Sequence, residues 1–146
     1  MSKLELGTFG AVMKFALELE AASLEFYEKM LASTIDAAFK ELLERQIIRM
    51  KNRIRSLERV RRENITEMIL EPIRDLNGDN YSISTFLSDI KSGNAAYETL
   101  FQIEQQKRRF YSDSAMKIEF LIEAANAFEQ FADDLDTVIQ EIEKHQ

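Results

Sequence analysis

Apolar residues recur along this chain at alternating steps of three and four, the spacing of one face of an α-helix. In the first such stretch Phe9, Met13, Ala16, Glu20, Leu24, Tyr27 and Leu31 form one stripe. This stripe predicts a helix from Thr8, a suitable N-cap, to about Ala32. Lys14, Glu18, Glu25 and Lys29 fall on the opposite, solvated side. A second apolar row, Val12, Phe15, Leu19, Phe26 and Met30, makes the helix apolar around most of its girth. Such a helix needs more than one neighbour, a partner subunit among the candidates. Residues 33–36 read as a turn, and Asp36 is the N-cap of a second helix. That helix carries Leu43, Ile47, Met50, Ile54 and Leu57 and ends near Arg62. So short a connection makes the two helices antiparallel neighbours.

From residue 63 to about 93 the periodicity stops. Pro72 interrupts it, Asn77-Gly78-Asp79-Asn80 reads as a turn, and Thr85 to Lys91 fits a short helix. Asp75, Asn77 and Asp79 have the alternate spacing of a calcium loop. The closing position holds Phe86 instead of a glutamate, so an ordinary turn is the better reading. A helix of about 25 residues is about 38 Å long, and this segment is long enough to run back along it as a crossover. A third helix is predicted from Asn94, with Tyr97, Leu100, Glu104 and Tyr111 inward. Asp113 or Ser114 is expected to cap a fourth, with the stripe Ile118, Leu121, Ala125, Phe128, Ala132, Leu135, Ile139 and Ile142. The expected architecture is an all-α four-helix bundle in one domain, 1–146, built from two antiparallel hairpins and a long crossover.

Composition supports this class, with one Pro and four Gly in 146 residues. The absence of Cys removes disulfides, thiolate metal sites and thiol nucleophiles. Met1-Ser2-Lys3-Leu4-Glu5-Leu6 lacks the apolar core of a leader peptide, and no uncharged run is long enough to span a bilayer. A cytoplasmic protein without membrane association is expected. The net charge of −7 disfavours nucleic acid as a partner of the surface at large. Within that total, residues 45–62 of the second helix are basic (Arg45, Arg49, Lys51, Arg53, Arg55, Arg59, Arg61, Arg62) and residues 117–144 of the fourth acidic (Glu119, Glu123, Glu129, Asp133, Asp134, Asp136, Glu141, Glu143). The two are expected to face each other along a seam, or else to set the geometry of a homodimer. The basic face lacks the aromatic residues that stack on bases.

One pattern occurs twice. Glu20-Ala21-Ala22-Ser23-Leu24-Glu25-Phe26-Tyr27 and Glu104-Gln105-Gln106-Lys107-Arg108-Arg109-Phe110-Tyr111 both read Glu, five residues, Phe-Tyr, and lie 84 positions apart. Positions 0, +4 and +7 of each copy share one helix side, so the acid points where the tyrosine points, toward the other helices. Two ionised carboxylates meeting in a core need a cation, or one of them must become neutral.

These motifs, in this helix order, resemble the rubrerythrin branch of the ferritin-like superfamily over nearly the whole chain. In that family Glu-x5-Phe-Tyr stands on helices one and three and Glu-x-x-His on helices two and four. Together they hold two metal ions that reduce peroxide or oxidise ferrous iron. Counted from Tyr27 without a gap, the family's helix-two ligand positions fall on Met50 and Arg53. Aligning Leu135 with Leu57 places the helix-four ligands at Phe128 and Phe131. Only Glu20 and Glu104 remain as ligand positions, and the single histidine, His145, is in the tail. A thioether, a guanidinium and two phenyl rings do not ligate a hard metal pair. Neither metal nor other cofactor is therefore expected; iron or manganese would require a different register. Arg53 is the expected replacement counter-ion, bridging both acids, with Lys107 and Arg108 as rival partners. Met50, Phe128 and Phe131 form an apolar plug over the former site.

Three functions follow from these readings. The first, which the missing ligands favour, is a non-catalytic bundle acting as a structural or regulatory interaction module, as a homodimer. The resemblance taken alone implies a residual di-iron-type oxidoreductase, although no cysteine-bound iron is present to supply electrons. The third is a protein that binds a small ligand or an acidic partner.

Overall fold

Thr8 sits in extended backbone, and its hydroxyl accepts the Ala11 amide at 3.1 Å, which starts α1 (Phe9–Ser33). Asp36 does the same for α2 (Ala37–Glu63), its carboxylate accepting the amides of Ala38 and Phe39. After the crossover come α3 (Asn94–Lys117) and α4 (Ile122–Glu143). This computed structural model describes residues 4–64, 66 and 72–145. The start of the N-terminal segment (1–3), used above against a leader peptide, and part of the crossover (65, 67–71) lie outside the described residues. Among those described there are four α-helices and no strand, and no helix is long and apolar enough to cross a membrane.

The helices pair as α1 with α2 and α3 with α4; α1 also meets α3, and α2 meets α4. Across α1 and α3 the bonded residues run in opposite directions, 27 with 104 and 20 with 111, so these helices are antiparallel. The second apolar row of α1 is used within the chain: Val12, Leu19, Phe26 and Met30 are buried, and Phe15 packs on Phe110 with ring centroids 4.9 Å apart. Within the chain, Phe15 of this row thus meets α3 and the crossover.

The crossover is pinned at both faces. Residues 4–7 pair with 73–78: Leu6 N–H donates to the Leu76 carbonyl, Ile73 N–H to that of Gly7 and Gly78 N–H to that of Leu4. Asn77 caps a 3-10 turn, Gly78–Tyr81, through the Asp79 amide, while the Asp79 carboxylate accepts the Leu4 amide. These side chains are turn-formers. Beyond it lies a second 3-10 turn, Ser84–Leu87, shorter than the helix expected over Thr85–Lys91. On the α3 side Tyr81 O–H donates to Asp113 at 2.6 Å, and Gln106 donates to the carbonyls of Asn80 and Ser82. Burial and the hydrogen bond to Asp113 push the Tyr81 phenol up to about 12.

The expected start of the fourth helix is wrong by two turns. Asp113 and Ser114 do not cap it; both lie inside α3, which continues through Ala115, Met116 and Lys117. Asp113 is engaged by Tyr81, and three helix-compatible residues follow, so nothing stops the helix there. Ile118 and Leu121 consequently belong to the turn, although Ile118 is fully buried. The α4 face from Ala125 to Ile142 is as its stripe predicts.

Gly78 of the crossover lies tight against Phe15 of α1. A Cβ there would stand 2.8 Å from Phe15 Cε2 and 2.9 Å from Leu4 Cδ2. Gly78→Ala should therefore lower unfolding stability by about 1–3 kcal/mol, read as an earlier urea midpoint with an unchanged slope.

Candidate functional site

Both repeated motifs deliver their acids to one place. Glu20 on α1 and Glu104 on α3 are buried, as are Tyr27 and Tyr111 two turns further along the same helix faces. The pairs cross: Tyr27 O–H donates to Glu104 Oε2 at 2.6 Å, and Tyr111 O–H donates to Glu20 Oε2 at 2.5 Å. Each pair takes one residue from either hairpin, and the two are related by the internal repeat.

Lys107 lies between the carboxylates. Its Nζ is 3.0 Å from Glu20 Oε1 and 3.0 Å from Glu104 Oε1, and it donates to Ser23 Oγ at 3.2 Å. An ammonium has three donors, and three oxygens lie within 3.2 Å of this one. The Ser23 hydroxyl in turn donates a hydrogen bond to the Met50 sulfur at 3.3 Å. Arg53 enters from α2, its NH1 donating to Glu20 Oε1 at 3.2 Å and Oε2 at 3.4 Å. Two anions and two cations thus share the interior, and their formal charges cancel. Such a cluster is tolerated in a low-dielectric core only when pairing is this complete.

The electrostatics follow from the contacts. Burial alone would raise the Glu20 carboxyl, but Lys107, Arg53 and the Tyr111 hydrogen bond outweigh it and hold it below its ordinary value of 4.5. Burial and the facing carboxylates, Glu104 for Tyr27 and Glu20 for Tyr111, push both phenols well above their ordinary range. Both tyrosines are therefore fixed as neutral donors. Burial works against the Arg53 charge, yet Glu20 holds its pKa above the ordinary arginine value.

Compared with protein-family models, with curated proteins and with solved structures, the chain matches none. Among the described residues no three His, Cys, Asp or Glu side chains come together as a metal-binding group.

The sequence-derived residues fall as follows. Arg53 reaches Glu20 alone, and the bridge between the two acids, assigned above to Arg53, is made by Lys107. The reason is reach: Lys107 stands one turn from Glu104 on the same helix, whereas Arg53 approaches from the α2 side. Arg108, the other rival, turns outward and pairs with Asp136 of α4. Met50 is buried against Ser23. Phe128 and Phe131 close the α4 side, with ring centroids 5.1 and 5.3 Å from that of Tyr111. His145 stacks on Tyr97, with centroids 5.0 Å apart, at the far end of the bundle. Among the described residues, the ion pairs between α2 and α4 form one cluster, in which Arg45, Arg49 and Gln46 all converge on Glu141. Arg55 and Arg59 instead contact Asn52 and Glu63 on their own helix.

Two tests follow from this geometry. Tyr27→Phe and Tyr111→Phe should each cost about 1.5–3 kcal/mol, the range for a hydrogen bond to a buried charge, measured by urea unfolding at neutral pH. Because the folded Glu20 pKa is depressed, its contribution is full above pH 4.5 and is lost as pH falls through the lower folded value. Stability should fall with acidification below that point, and Glu20→Gln should flatten this limb while lowering stability at neutral pH.

Proposed function

We propose that the chain is a degenerate rubrerythrin-type ferritin-like bundle serving as a non-catalytic structural or regulatory module, working as a homodimer. The observation that carries this reading is the Lys107 ammonium, 3.0 Å from one oxygen of each repeated glutamate. That is where a cation shared by the two acids has to stand. A divalent metal pair does not fit these residues. Its bridging position holds a covalently tethered positive charge, the remaining carboxylate oxygens accept from tyrosines, and the next side chains are a guanidinium and a thioether.

The same arrangement argues against proton-transfer chemistry. The phenols are held in their protonated form, Glu20 in its charged form, and the carboxylates and the ammonium are shut away from water. What the cluster does supply is registration. It fixes α1, α2 and α3 in one arrangement, and leaves the outer faces free for recognition.

Purified protein from cultures given iron and manganese should carry substoichiometric metal after dialysis and should not turn over peroxide. Two metal ions per chain surviving dialysis would overturn the proposal. Lys107→Ser, which places in the second motif the residue that the first has at Ser23, should cost about 3–5 kcal/mol by leaving buried charge unpaired. Added Mn²⁺ should raise the melting temperature of that variant and leave the unsubstituted protein unchanged.

A further inference from the structure

The outer side of Arg53 opens on a groove between α2 and α4. The groove has a volume of about 390 Å³, and Arg49, Arg53, Ser56, Phe131, Asp134 and Thr137 are among its lining residues. That volume falls within the roughly 300–1,000 Å³ of small-molecule sites. We infer that this groove binds a small monocarboxylate with an apolar body, held by the free edge of Arg53. The inference is independent of whether the core ever held metal.

Arg53 is only 6% exposed, and its NH1 is committed to Glu20. Its Nε and NH2 donate to no acceptor among the described residues. They form one edge of a planar group, the edge that pairs bidentately with a carboxylate. Because Glu20 anchors the other side, that edge is already oriented and loses little freedom on binding. Arg49 lies at the rim, 4.0 Å from a Glu141 that Arg45 also engages, so it has charge to share. Ser56 and Thr137 add hydroxyls that have no protein hydrogen-bond partner among the described residues. Phe131 supplies an apolar wall.

Asp134 sets the charge limit. Its carboxylate lines the same groove and, among the described residues, accepts only from Gln130, at 3.0 Å. A dianion such as phosphate meets this repulsion with more charge than a single carboxylate does. A monocarboxylate with a hydrocarbon or aromatic body matches both the Arg53 edge and the Phe131 wall.

The test is calorimetric titration of the full chain with benzoate, acetate and inorganic phosphate, alongside the Arg Nε–H signals in ¹H–¹⁵N spectra. Benzoate should bind saturably and more tightly than acetate, shift the Arg53 Nε–H signal, and exceed phosphate. Arg49→Gln should weaken benzoate several-fold, and Arg53→Lys, which keeps a charge for Glu20 but has no second edge, should weaken it about tenfold or more. Asp134→Asn should improve phosphate binding. If Arg53→Lys fails to fold, Arg49→Gln and Asp134→Asn decide the matter, since both residues are exposed. No saturable benzoate binding, affinities unmoved by both of these substitutions, or phosphate preferred by the unsubstituted protein would each overturn the inference.

Discussion

A single ammonium held between two buried carboxylates is the constraint on which this bundle depends. Without Lys107, Glu20 and Glu104 would face each other across α1 and α3 with only the Arg53 guanidinium nearby, and that group reaches one of them. With it, both carboxylates gain a shared cation, and the contacts run on to the serine hydroxyl that ends on a methionine sulfur. Net stability from such a network is modest, because desolvation offsets much of the attraction. Its stronger effect is on specificity: an axial slip of α1 against α3 would break both tyrosine–glutamate pairs and the lysine bridge together.

The fold was largely legible in the sequence. Thr8 and Asp36 are recognisable caps, and the three-four spacing of the core residues identifies the faces of α1, α2 and α4. The α3–α4 turn was not, because Asp113 and Ser114 look like caps in isolation. Only the Tyr81 contact, thirty-two positions away in sequence, shows that Asp113 is occupied elsewhere. Tertiary partners of this kind override local capping preference without leaving a mark in the local sequence.

The candidate site was half legible. The repeated Glu-x5-Phe-Tyr located both acids and both tyrosines, and the helical spacing showed that they point inward. Lys107 was harder to find, since a lysine among polar neighbours is ordinarily solvated. A signal was present all the same. Lys107 stands three positions after Glu104, on the same face, and it replaces the Ser23 of the first copy. Of the three positions at which the two copies differ in charge, this is the one that faces the acids, and there the core gains its bridging cation.

The crossed pairing has a consequence for how the chain is put together. Glu20, Tyr27 and Arg53 belong to the first hairpin, Glu104, Lys107 and Tyr111 to the second; each half has one acid and one base, but each acid takes its tyrosine donor from the other half. Each hairpin is therefore an incomplete object that needs its complement before it can exclude water. Two separate half-chains would have reason to reassociate. Equally, two whole copies trading hairpins would keep every internal bond of this cluster, with the crossover as the only segment obliged to change course.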